Sequence, residues 1–395
     1  MINIPNDWER KTLNDIGVFS KGSGISSEQL KDAGIPCVGY GDLYTKYDTM
    51  FCVPQNFIDK KAAKMSVAVN KGTLLFTATG ETAEEIGKCV CYYGEEIIYV
   101  GGDIFILRTK DINPLFVAYQ QNSFQFIKQK ARLGQGHSVV HIRMEDIKKL
   151  LVVCPKSIKE QQKIAKILTK WDDAIELQKQ LIENLELQKT VLMQKLLTPK
   201  KDWSKNKLNT LIENWADGAT PSRKDVSNFG NSYWWIVIED IKRYITTTKE
   251  KLSKQGLKNS SCVVWPPDTI ILSTGATIGE VGILKVSATT KQGIIGIIVK
   301  PNLIDGEFLR YWFIFNKQRL INLSQGISIK EVRIDKLAKL DIYLPKKLSE
   351  QKKISNVLVT MDNIINLHSQ KLDLLKCQRK ALMQRLLTGA IRVKV

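Results

Sequence analysis

The stretches that decide the organisation of this chain read EQQKIAKILTKWDDAI (160–175) and EQKKISNVLVTMDNII (350–365), two copies of one pattern. They belong to a longer repeat in which 133–198 aligns with 323–388 without a gap, with 26 of 66 positions identical. The copies close on LMQKLLT (192–198) and LMQRLLT (382–388). Their offset of 190 positions is far longer than the period of a solenoid repeat, about 20–50 residues. It indicates that a whole domain has been duplicated together with a connecting helix.

The repeat continues upstream with insertions and deletions. IPCVGYGDLY (35–44) lies over WWIVIEDIKR (234–243), and LLFTATGET (74–82) lies over IILSTGATI (270–278). The 395 residues suit two to four domains. We therefore expect a globular domain at 1–150, a helical segment at 151–200, a second globular domain at 201–345 and a second helical segment at 346–395.

The globular segments mix two kinds of pattern. Runs rich in β-branched and aromatic residues predict strands at Gly72–Ala78, Ile97–Leu107, Thr269–Ser273 and Ile294–Val299. Helical patterns occupy Leu115–Arg132 and Gly306–Leu323. We expect an α+β fold: two tandem, pseudo-symmetric α/β globular domains, each with a mixed or antiparallel sheet, separated by two long helices.

Heptad spacing runs along both helical segments, about 157–198 and 349–388, which end at Pro199 and Gly389. It predicts that the two helices form a coiled coil with each other. The predicted seam comprises Ile164, Leu168, Trp171, Ile175, Ile182, Leu185, Leu192 and Leu196 in the first helix, and Ile354, Leu358, Met361, Ile365, Leu372, Leu375, Leu382 and Leu386 in the second.

Polar residues interrupt the seam at matching positions of the two copies. Gln178 corresponds to His368, and Lys189 corresponds to Arg379. A polar seam residue usually fixes register or pairing at a cost in stability. Alternatively, the seam opens at these positions to solvent or to a third partner.

Composition narrows the partner class. The net charge of +19, from 59 Lys+Arg and 40 Asp+Glu, favours a polyanion, most often nucleic acid. Seven cysteines without a CxxC spacing and three histidines indicate reduced core cysteines of a cytoplasmic protein and predict no metal site. The N-terminal sequence lacks the pattern of a signal peptide, and no apolar run is long enough to cross a membrane.

Catalytic motifs are missing from the sequence. A phosphate-binding GxxxxGK[ST] loop is absent. Trp265-Pro-Pro-Asp268 lacks the polar first residue and the aromatic last residue of the tetrad used by amino-methyltransferases, so we interpret it as a loop. Asp240-Ile-Lys242 and the histidines at 137 and 141 form no complete nuclease or metal-binding set. We expect no catalytic residues and no cofactor in this chain.

Recognition chemistry is present instead. Basic helices lead into Gly134-Gln-Gly-His-Ser138 and Ser324-Gln-Gly-Ile-Ser328, where glycine lets backbone N–H groups approach a phosphate. A plain glycine at a helix end is the alternative. Basic and aromatic residues alternate near 40–47 and 234–244, where we expect Trp234 in the core and the charges exposed. The candidate DNA-binding residues are Lys21, Tyr40, Tyr44, Lys46, Thr77, Thr79, Lys130, Arg132, Gln135, Ser138, Thr220, Ser222, Arg223, Lys242, Arg243, Thr274, Thr277, Arg319, Gln325, Ser328 and Lys330.

Two variable domains, each followed by a helix that opens with Glu-Gln-x-Lys-Ile and closes with Leu-Met-Gln-x-Leu-Leu-Thr, resemble the specificity subunit of type I restriction–modification enzymes. The resemblance covers essentially the whole chain. It implies that each domain reads one half of a bipartite, asymmetric DNA target. It also implies that the helices form an antiparallel pair that separates the domains and docks partner subunits.

The implied partners are double-stranded DNA, two methyltransferase (modification) subunits and two restriction/translocase subunits. S-adenosylmethionine, ATP and Mg would belong to those subunits. Two other classes are open on sequence grounds: a recognition subunit of another DNA modification or defence system, or a coiled-coil scaffold without DNA binding. A degenerate methyltransferase or nuclease that acts alone is a further alternative.

Overall fold

The computed structural model describes residues 5–136, 139–324 and 331–394. The chain divides into two units, one of Met1–Lys179 with Gln370–Val395 and the other of Gln180–Ser369. Each unit therefore contains one globular domain, the first half of the long helix that follows it and the last half of the other long helix. The expected α+β class with two pseudo-symmetric domains is confirmed.

The first unit is built on two mixed sheets and two short ladders. Five strands run in the order β2-β11-β7-β9-β4, four in the order β5-β3-β10-β6, and β1 pairs with β13 and β8 with β12. The strands are β1 (Trp8–Thr12), β2 (Gly17–Lys21), β3 (Ile35–Val38), β4 (Met50–Phe51), β5 (Asn56–Ile58), β6 (Val67–Val69), β7 (Thr73–Thr77), β8 (Thr79–Gly80), β9 (Cys89–Tyr92), β10 (Ile98–Val100), β11 (Ile104–Thr109), β12 (Val140–His141) and β13 (Leu151–Pro155).

The second unit repeats this plan. Its sheets run β15-β22-β19-β20-β17 and β18-β16-β21, and β14 pairs with β23. The strands are β14 (Ser204–Lys207), β15 (Ile212–Asp217), β16 (Phe229–Ile236), β17 (Tyr244–Ile245), β18 (Glu250–Leu252), β19 (Ile270–Ser273), β20 (Val281–Leu284), β21 (Ala288–Thr290), β22 (Ile294–Val299) and β23 (Asp341–Leu344). The five-stranded sheets of the two units correspond strand for strand, which is the structural form of the duplication.

Short helices connect the strands, and two forty-residue helices follow the domains. Four short 3-10 segments cover Leu13–Ile16, Ser27–Gln29, Val226–Asn228 and Ile238–Asp240. The α-helices are α1 (Tyr40–Thr45), α2 (Lys60–Lys64), α3 (Pro114–Gln121), α4 (Phe124–Ala131), α5 (Met144–Lys148), α6 (Ile158–Leu197), α7 (Leu208–Leu211), α8 (Lys254–Lys258), α9 (Gly306–Phe315), α10 (Lys317–Asn322), α11 (Ile334–Ala338) and α12 (Leu348–Leu387).

Three predicted elements are each divided in two. The run Ile97–Leu107 forms β10 and β11 in different sheets, because the chain turns at Gly101-Gly102 and Asp103 adopts a left-handed φ of 57°. The pattern Leu115–Arg132 breaks between α3 and α4. There the Asn122 side chain accepts a hydrogen bond from Cys89 N at 3.0 Å and donates one to Cys89 O at 2.6 Å. Gly306–Leu323 breaks between α9 and α10 at Asn316, whose side chain donates to Trp312 O of α9 at 2.9 Å.

The glutamine of the repeated Glu-Gln-x-Lys-Ile motif fixes each long helix to its domain. Gln161 accepts a hydrogen bond from Asn113 N at 2.8 Å and donates one to Pro155 O at 2.8 Å. Gln351 accepts from Asp305 N at 2.9 Å and donates to Pro345 O at 3.0 Å. Both side chains are buried. This contact explains why both copies carry glutamine here, since a buried backbone group needs a partner.

Replacing Gln161 with leucine should destabilise the first unit. The apolar side chain would leave the Asn113 N–H and the Pro155 carbonyl without these partners, at a cost of about 1–3 kcal/mol per unsatisfied group. The free energy of unfolding from denaturant titration would measure the loss. Gln162→Leu is the matched control, because Gln162 is exposed one residue further along α6. Equal stability of the two variants would contradict this role.

The long helices pair antiparallel, and a symmetric pair of ion bridges fixes their register. In the first unit Arg379 Nε donates to Asp172 Oδ1 at 2.8 Å; in the second, Lys189 Nζ lies 2.7 Å from Asp362 Oδ1. Each bridge joins α6 to α12. The two bridges are equivalent, because Asp172 corresponds to Asp362 and Arg379 corresponds to Lys189 in the repeat. Of the two interpretations of Lys189 and Arg379, the structure supports a fixed register. Gln178 is buried and His368 is not fully exposed.

Tyrosines from the domains complete these bridges. Tyr119 and Tyr311 each donate a hydrogen bond to the bridging aspartate of their unit at 2.6 Å. Burial raises the pKa of both tyrosines, so both stay protonated as donors. For Asp362, burial favours the neutral acid, but the hydrogen bonds from Lys189 and Tyr311 and the charges of Lys189 and Arg310 together outweigh it and hold the pKa of the carboxyl below its usual value. The carboxylate is therefore the stable form between the helices.

The sixteen predicted seam residues are all buried or half-buried, as expected of side chains that face the other helix or a domain core. The ends of the seam also enter the domain cores. Ile164 and Leu168 join the core of the first unit with Leu386 from the last turns of α12. Met193 and Leu197, which the heptad reading omitted, join the core of the second unit with Ile354 and Leu358. Each globular domain therefore packs against both long helices through its hydrophobic core.

Asp7 and Arg392, which are 385 positions apart in the sequence, meet in the first unit. Arg392 donates to Glu160 at the start of α6, from Nε at 2.9 Å and Nη2 at 3.0 Å, and also to Asp7. The hydrogen bond from Arg392 outweighs other influences and lowers the pKa of the Asp7 carboxyl. The segment after α12 is thereby held where the first domain begins.

Candidate nucleic-acid interface

Most of the predicted DNA-contacting side chains lie at the surface. Eleven are exposed: Lys21, Tyr40, Lys46, Arg132, Gln135, Thr220, Ser222, Arg223, Lys242, Thr277 and Arg319. Tyr44, Thr79 and Arg243 are half-buried, and Thr77, Lys130 and Thr274 are buried. Ser138, Gln325, Ser328 and Lys330 lie outside the described residues.

In the first unit, predicted residues from three distant segments come together. Tyr44 Oη donates to Thr79 O at 2.8 Å and lies within hydrogen-bond distance, 2.6 Å, of the Thr77 hydroxyl. Thr79 Oγ1 lies 3.1 Å from Nδ1 of His141. His141 in turn exchanges backbone hydrogen bonds of 2.8 Å with Gln135. Burial raises the pKa of Tyr44 to about 12, so its hydroxyl is a fixed donor that orders this cluster.

His141 is the member of this cluster that sequence reasoning missed. It was considered only as a metal ligand in an i, i+4 pair with His137, and His137 lies outside the described residues. In the structure His141 is on β12, exposed, and paired with β8. An imidazole beside exposed hydroxyl and amide groups can donate to a phosphate or a base edge. The sequence does contain a signal for His141: it follows Gln135-Gly136, which we predicted to contact phosphate, within a few residues.

Lys130 does not belong to the exposed set, contrary to the prediction. Its side chain is 1% exposed, and its Nζ donates to Gly87 O at 2.6 Å. Burial lowers the pKa of this ammonium to about 8. The basic helix α4 therefore turns Lys130 into the domain and leaves Arg132, at its end, exposed.

Arg243 and Thr274 are also not exposed, contrary to the prediction that they contact DNA. Arg243 Nη1 donates to Asn363 Oδ1 on α12 at 2.8 Å, so its charge serves the attachment of the helix. Thr274 is 2% exposed, and its carbonyl accepts from Val332 N. Thr77 is also buried, because it is the last residue of the central strand β7, which is buried throughout.

Three exposed cations of the predicted set have partners within the domains. Arg319 Nη1 donates to Asp341 O at 3.1 Å, and the other two have carboxylate partners. Lys46 lies 3.0 Å from Asp42 Oδ1, and Arg223 lies 3.1 Å from Glu250 Oε1. Arg223 also lies over the ring of Trp235. The pair of Arg223 and Glu250 is exposed, and such pairs contribute little stability, so Arg223 could exchange its carboxylate for a phosphate. The carboxylate paired with Lys46 is buried.

The aspartate shared by both repeats has a structural role. Asp42 accepts a hydrogen bond from Gly39 N, and Asp240 accepts one from Val237 N. Both side chains are buried. Asp240 therefore closes a turn, as Asp42 does, and this supports the view that Asp240-Ile-Lys242 is no nuclease signature.

Trp234 differs from expectation, whereas Trp265 lies in a segment without helix or strand, as expected of a loop. Trp234 is only half-buried under Lys251 Nζ, 3.6 Å from its ring centre, while Trp235 is fully buried. The side chain of Trp265 is 1% exposed and belongs to the core. It packs on Gly296, where a Cβ would lie 2.2 Å from the indole. The Trp-Pro-Pro-Asp segment thus supplies a core residue.

Cysteines divide between core and surface. Cys37, Cys89, Cys91 and Cys154 are buried, as expected. Cys52 and Cys377 are exposed, so the expectation of an all-core set was wrong.

Within 5–136, 139–324 and 331–394, no helix is long and apolar enough to cross a membrane. The same residues contain no group of three or more metal-ligating side chains.

Comparison with known proteins agrees with this architecture. The family model described as "Type I restriction modification DNA specificity domain" matches twice, at residues 5–187 and 200–376. A putative type I restriction enzyme MjaX specificity subunit from Methanocaldococcus jannaschii is 27% identical over 99% of this chain and 95% of its own length. The MjaVIII specificity subunit of the same organism is 24% identical over 100% of this chain and 95% of its own length.

Solved structures share the fold. The S subunit of a type I restriction-modification system from M. genitalium superposes with a TM-score of 0.61 at 14% identity, covering 97% of this chain and 96% of that one. A chain from a study of type I R-M complex assembly gives a TM-score of 0.63 at 14% identity, covering 98% and 100%. The two matches to the family model cover most of the sequence and coincide with the two repeats. On this evidence the chain belongs to the family of type I restriction modification DNA specificity domains.

Proposed function

We propose that this chain is the DNA-recognition subunit of a type I restriction–modification complex. Each globular domain reads one half of a bipartite, asymmetric target, and modification subunits bound to the chain methylate adenine there. The observation that carries the proposal is the duplication: two copies of a specificity domain, each with its own sheets and its own share of both long helices. Because the copies have diverged at their surfaces, the two half-sites differ.

The chain itself performs no catalysis in this proposal. S-adenosylmethionine is bound by two modification subunits, and ATP and Mg by two restriction/translocase subunits. The polar groups brought together in the first domain are hydroxyl, amide and imidazole groups around Tyr44, Thr79 and Gln135. These groups donate and accept hydrogen bonds at base edges and phosphates, and the net charge of +19 supplies the sequence-independent attraction.

The proposed contact set contains the exposed candidates together with the half-buried Thr79, whose hydroxyl lies beside His141. In the first domain it contains Lys21, Tyr40, Lys46, Thr79, Arg132, Gln135 and His141; in the second, Thr220, Ser222, Arg223, Lys242, Thr277 and Arg319. Ser138, Gln325, Ser328 and Lys330 stay in the proposal on sequence grounds alone. Lys130 and Arg243 are left out because their charges already bind groups within the protein.

Arg132 and Lys130 provide a matched test two residues apart. Arg132→Gln should weaken binding to duplex DNA for all sequences and reduce the slope of log K against log salt by about 1, the effect of one lost phosphate contact. Lys130→Met should leave that slope unchanged, since its ammonium is buried. Fluorescence anisotropy over a salt series, with the assembled complex, measures both. Salt-independent binding by the unmodified complex, or equal slopes for both variants, would count against this interface.

A further inference from the structure

The first unit contains a cavity of about 690 Å³ between the start of α4, the first half of α6 and the last half of α12. Phe124, Ile175 and Met383 give it an apolar wall, and Asp173 and Lys380 lie at its edge. Phe124 is 59% exposed, a large apolar surface for a lone side chain. The cavity lies among residues that the function above does not use.

The repeat identifies the position in the second unit that corresponds to this cavity. Strands β4 and β17 correspond, because Cys91 N donates to Thr49 O and Ile283 N donates to Arg243 O in the same position of the two sheets. Thr49, which lines the cavity, therefore corresponds to Arg243. On the helices, the offset of 190 makes Asp173 correspond to Asn363.

Arg243 occupies this place in the second unit. Its Nη1 donates to Asn363 Oδ1 at 2.8 Å and to Val359 O at 3.3 Å. The side chain is largely buried, with 17% of its surface exposed. The second unit therefore carries its own arginine against its long helix, at the position where the first unit has a threonine and a cavity.

The first unit offers an arginine the carboxylate of Asp173 at the position where the second unit has the amide of Asn363. In the second unit Arg243 also lies 3.9 Å from the carboxylate of Asp362, and in the first unit Lys179, Lys376 and Lys380 line the same cavity as Asp173. Asp173 replaces an amide with a carboxylate and has no hydrogen-bond or ion-pair partner among the residues that the structure describes. A carboxylate binds a guanidinium through charge-assisted, often bidentate hydrogen bonds, which are about twice as strong as neutral ones. The neighbouring apolar wall would pack against a side chain beside that arginine, and arginine with an apolar anchor is a common centre of protein interfaces.

We propose that this cavity binds an arginine, with an adjacent apolar side chain, from a segment of one modification subunit. Asp173 holds the guanidinium as Asn363 holds Arg243, and Phe124 contacts the apolar neighbour. The inference rests on the proposed function for the identity of the partner. Since Arg243 fills the corresponding place in the second unit, the anchor serves one modification subunit of the two, and the complex is asymmetric in how it holds them.

Two variants test the anchor by different means. Asp173→Lys reverses the charge at an exposed position, and Thr49→Arg supplies an internal arginine of the kind the second unit has. Each should weaken the binding of one modification subunit at least tenfold and leave the other unaffected. Native mass spectrometry and sedimentation of the full-length chain with its purified modification subunit would give stoichiometry and affinity. Asp32→Lys, an equal charge change at an exposed position outside the cavity, is the control.

The outcomes separate the two proposals. Unchanged affinity for both modification subunits in Asp173→Lys would overturn the anchor, even if Thr49→Arg failed to fold. An equal loss in Asp32→Lys would also overturn it, because the effect would then be one of general charge. If the unmodified chain bound neither modification subunits nor duplex DNA, the proposed function would fail instead.

Discussion

Exchanging residues 13–150 for the corresponding segment of another specificity subunit should change one half of the methylated target and leave the other half as it was. The physical reason is that each domain has its own sheets and core. The exchanged segment lies between β1 and β13, whose antiparallel ladder from Trp8 to Pro155 would stay intact. The contacts of Gln161 with the domain would be re-formed wherever the donor supplies a backbone N–H at the position of Asn113.

The expected effect is large, because each mismatched base pair costs about 1–3 kcal/mol and a half-site contains several. Methylation-sensitive sequencing of DNA modified by the chimeric complex would show the new motif. The reciprocal exchange in the second domain is the control, and it should alter the opposite half. A chimera that assembled normally but changed both halves would contradict separate reading by the two domains.

The purified chain alone should transfer no methyl group to DNA and should cut none, whereas the same chain with modification subunits should methylate its target. The reason is that the groups assembled at the proposed interface bind but do not catalyse. Tyr44 is a protonated donor, Asp240 closes a turn, and Trp265 is part of the core. Modification subunits would supply the S-adenosylmethionine site.

Labelled methyl transfer from S-adenosylmethionine to duplex DNA measures this difference directly. The control is the modification subunit without this chain, which should give no motif-specific labelling. Labelling by the verified-pure chain would refute the assignment of catalysis to the partner subunits. Labelling of the same motif by the modification subunit without this chain would refute the assignment of specificity to this one.

The sequence predicted the long helices well, and for a local reason. Heptad spacing and the residues at each end are local signals, so α6 and α12 begin and end within one residue of the expected bounds, 157–198 and 349–388. The matching Lys189 and Arg379 could be recognised as seam positions, but their partners Asp172 and Asp362 lie across the pair, and sequence spacing does not show which side chains meet across it.

Errors arose where a residue is used by a distant part of the chain. Asn122 ends α3 because its amide forms hydrogen bonds with the backbone of strand β9, and nothing within the helical pattern reveals that strand. Lys130 was assigned to the surface because a basic helix usually presents its charges to solvent, yet one lysine turns inward to Gly87. Arg243 bonds a helix that lies 120 residues later in the chain. Long-range hydrogen bonds of this kind carry no local signature.

The motif that the reconstituted complex methylates, read by sequencing its product DNA, tests most directly whether the two domains read separate half-sites. We expect a bipartite motif with two different half-sites separated by unspecified base pairs, and one half should change when residues 13–150 are exchanged. A continuous motif, or a motif that is unchanged when this chain is replaced by an unrelated specificity subunit, would contradict recognition by these two domains.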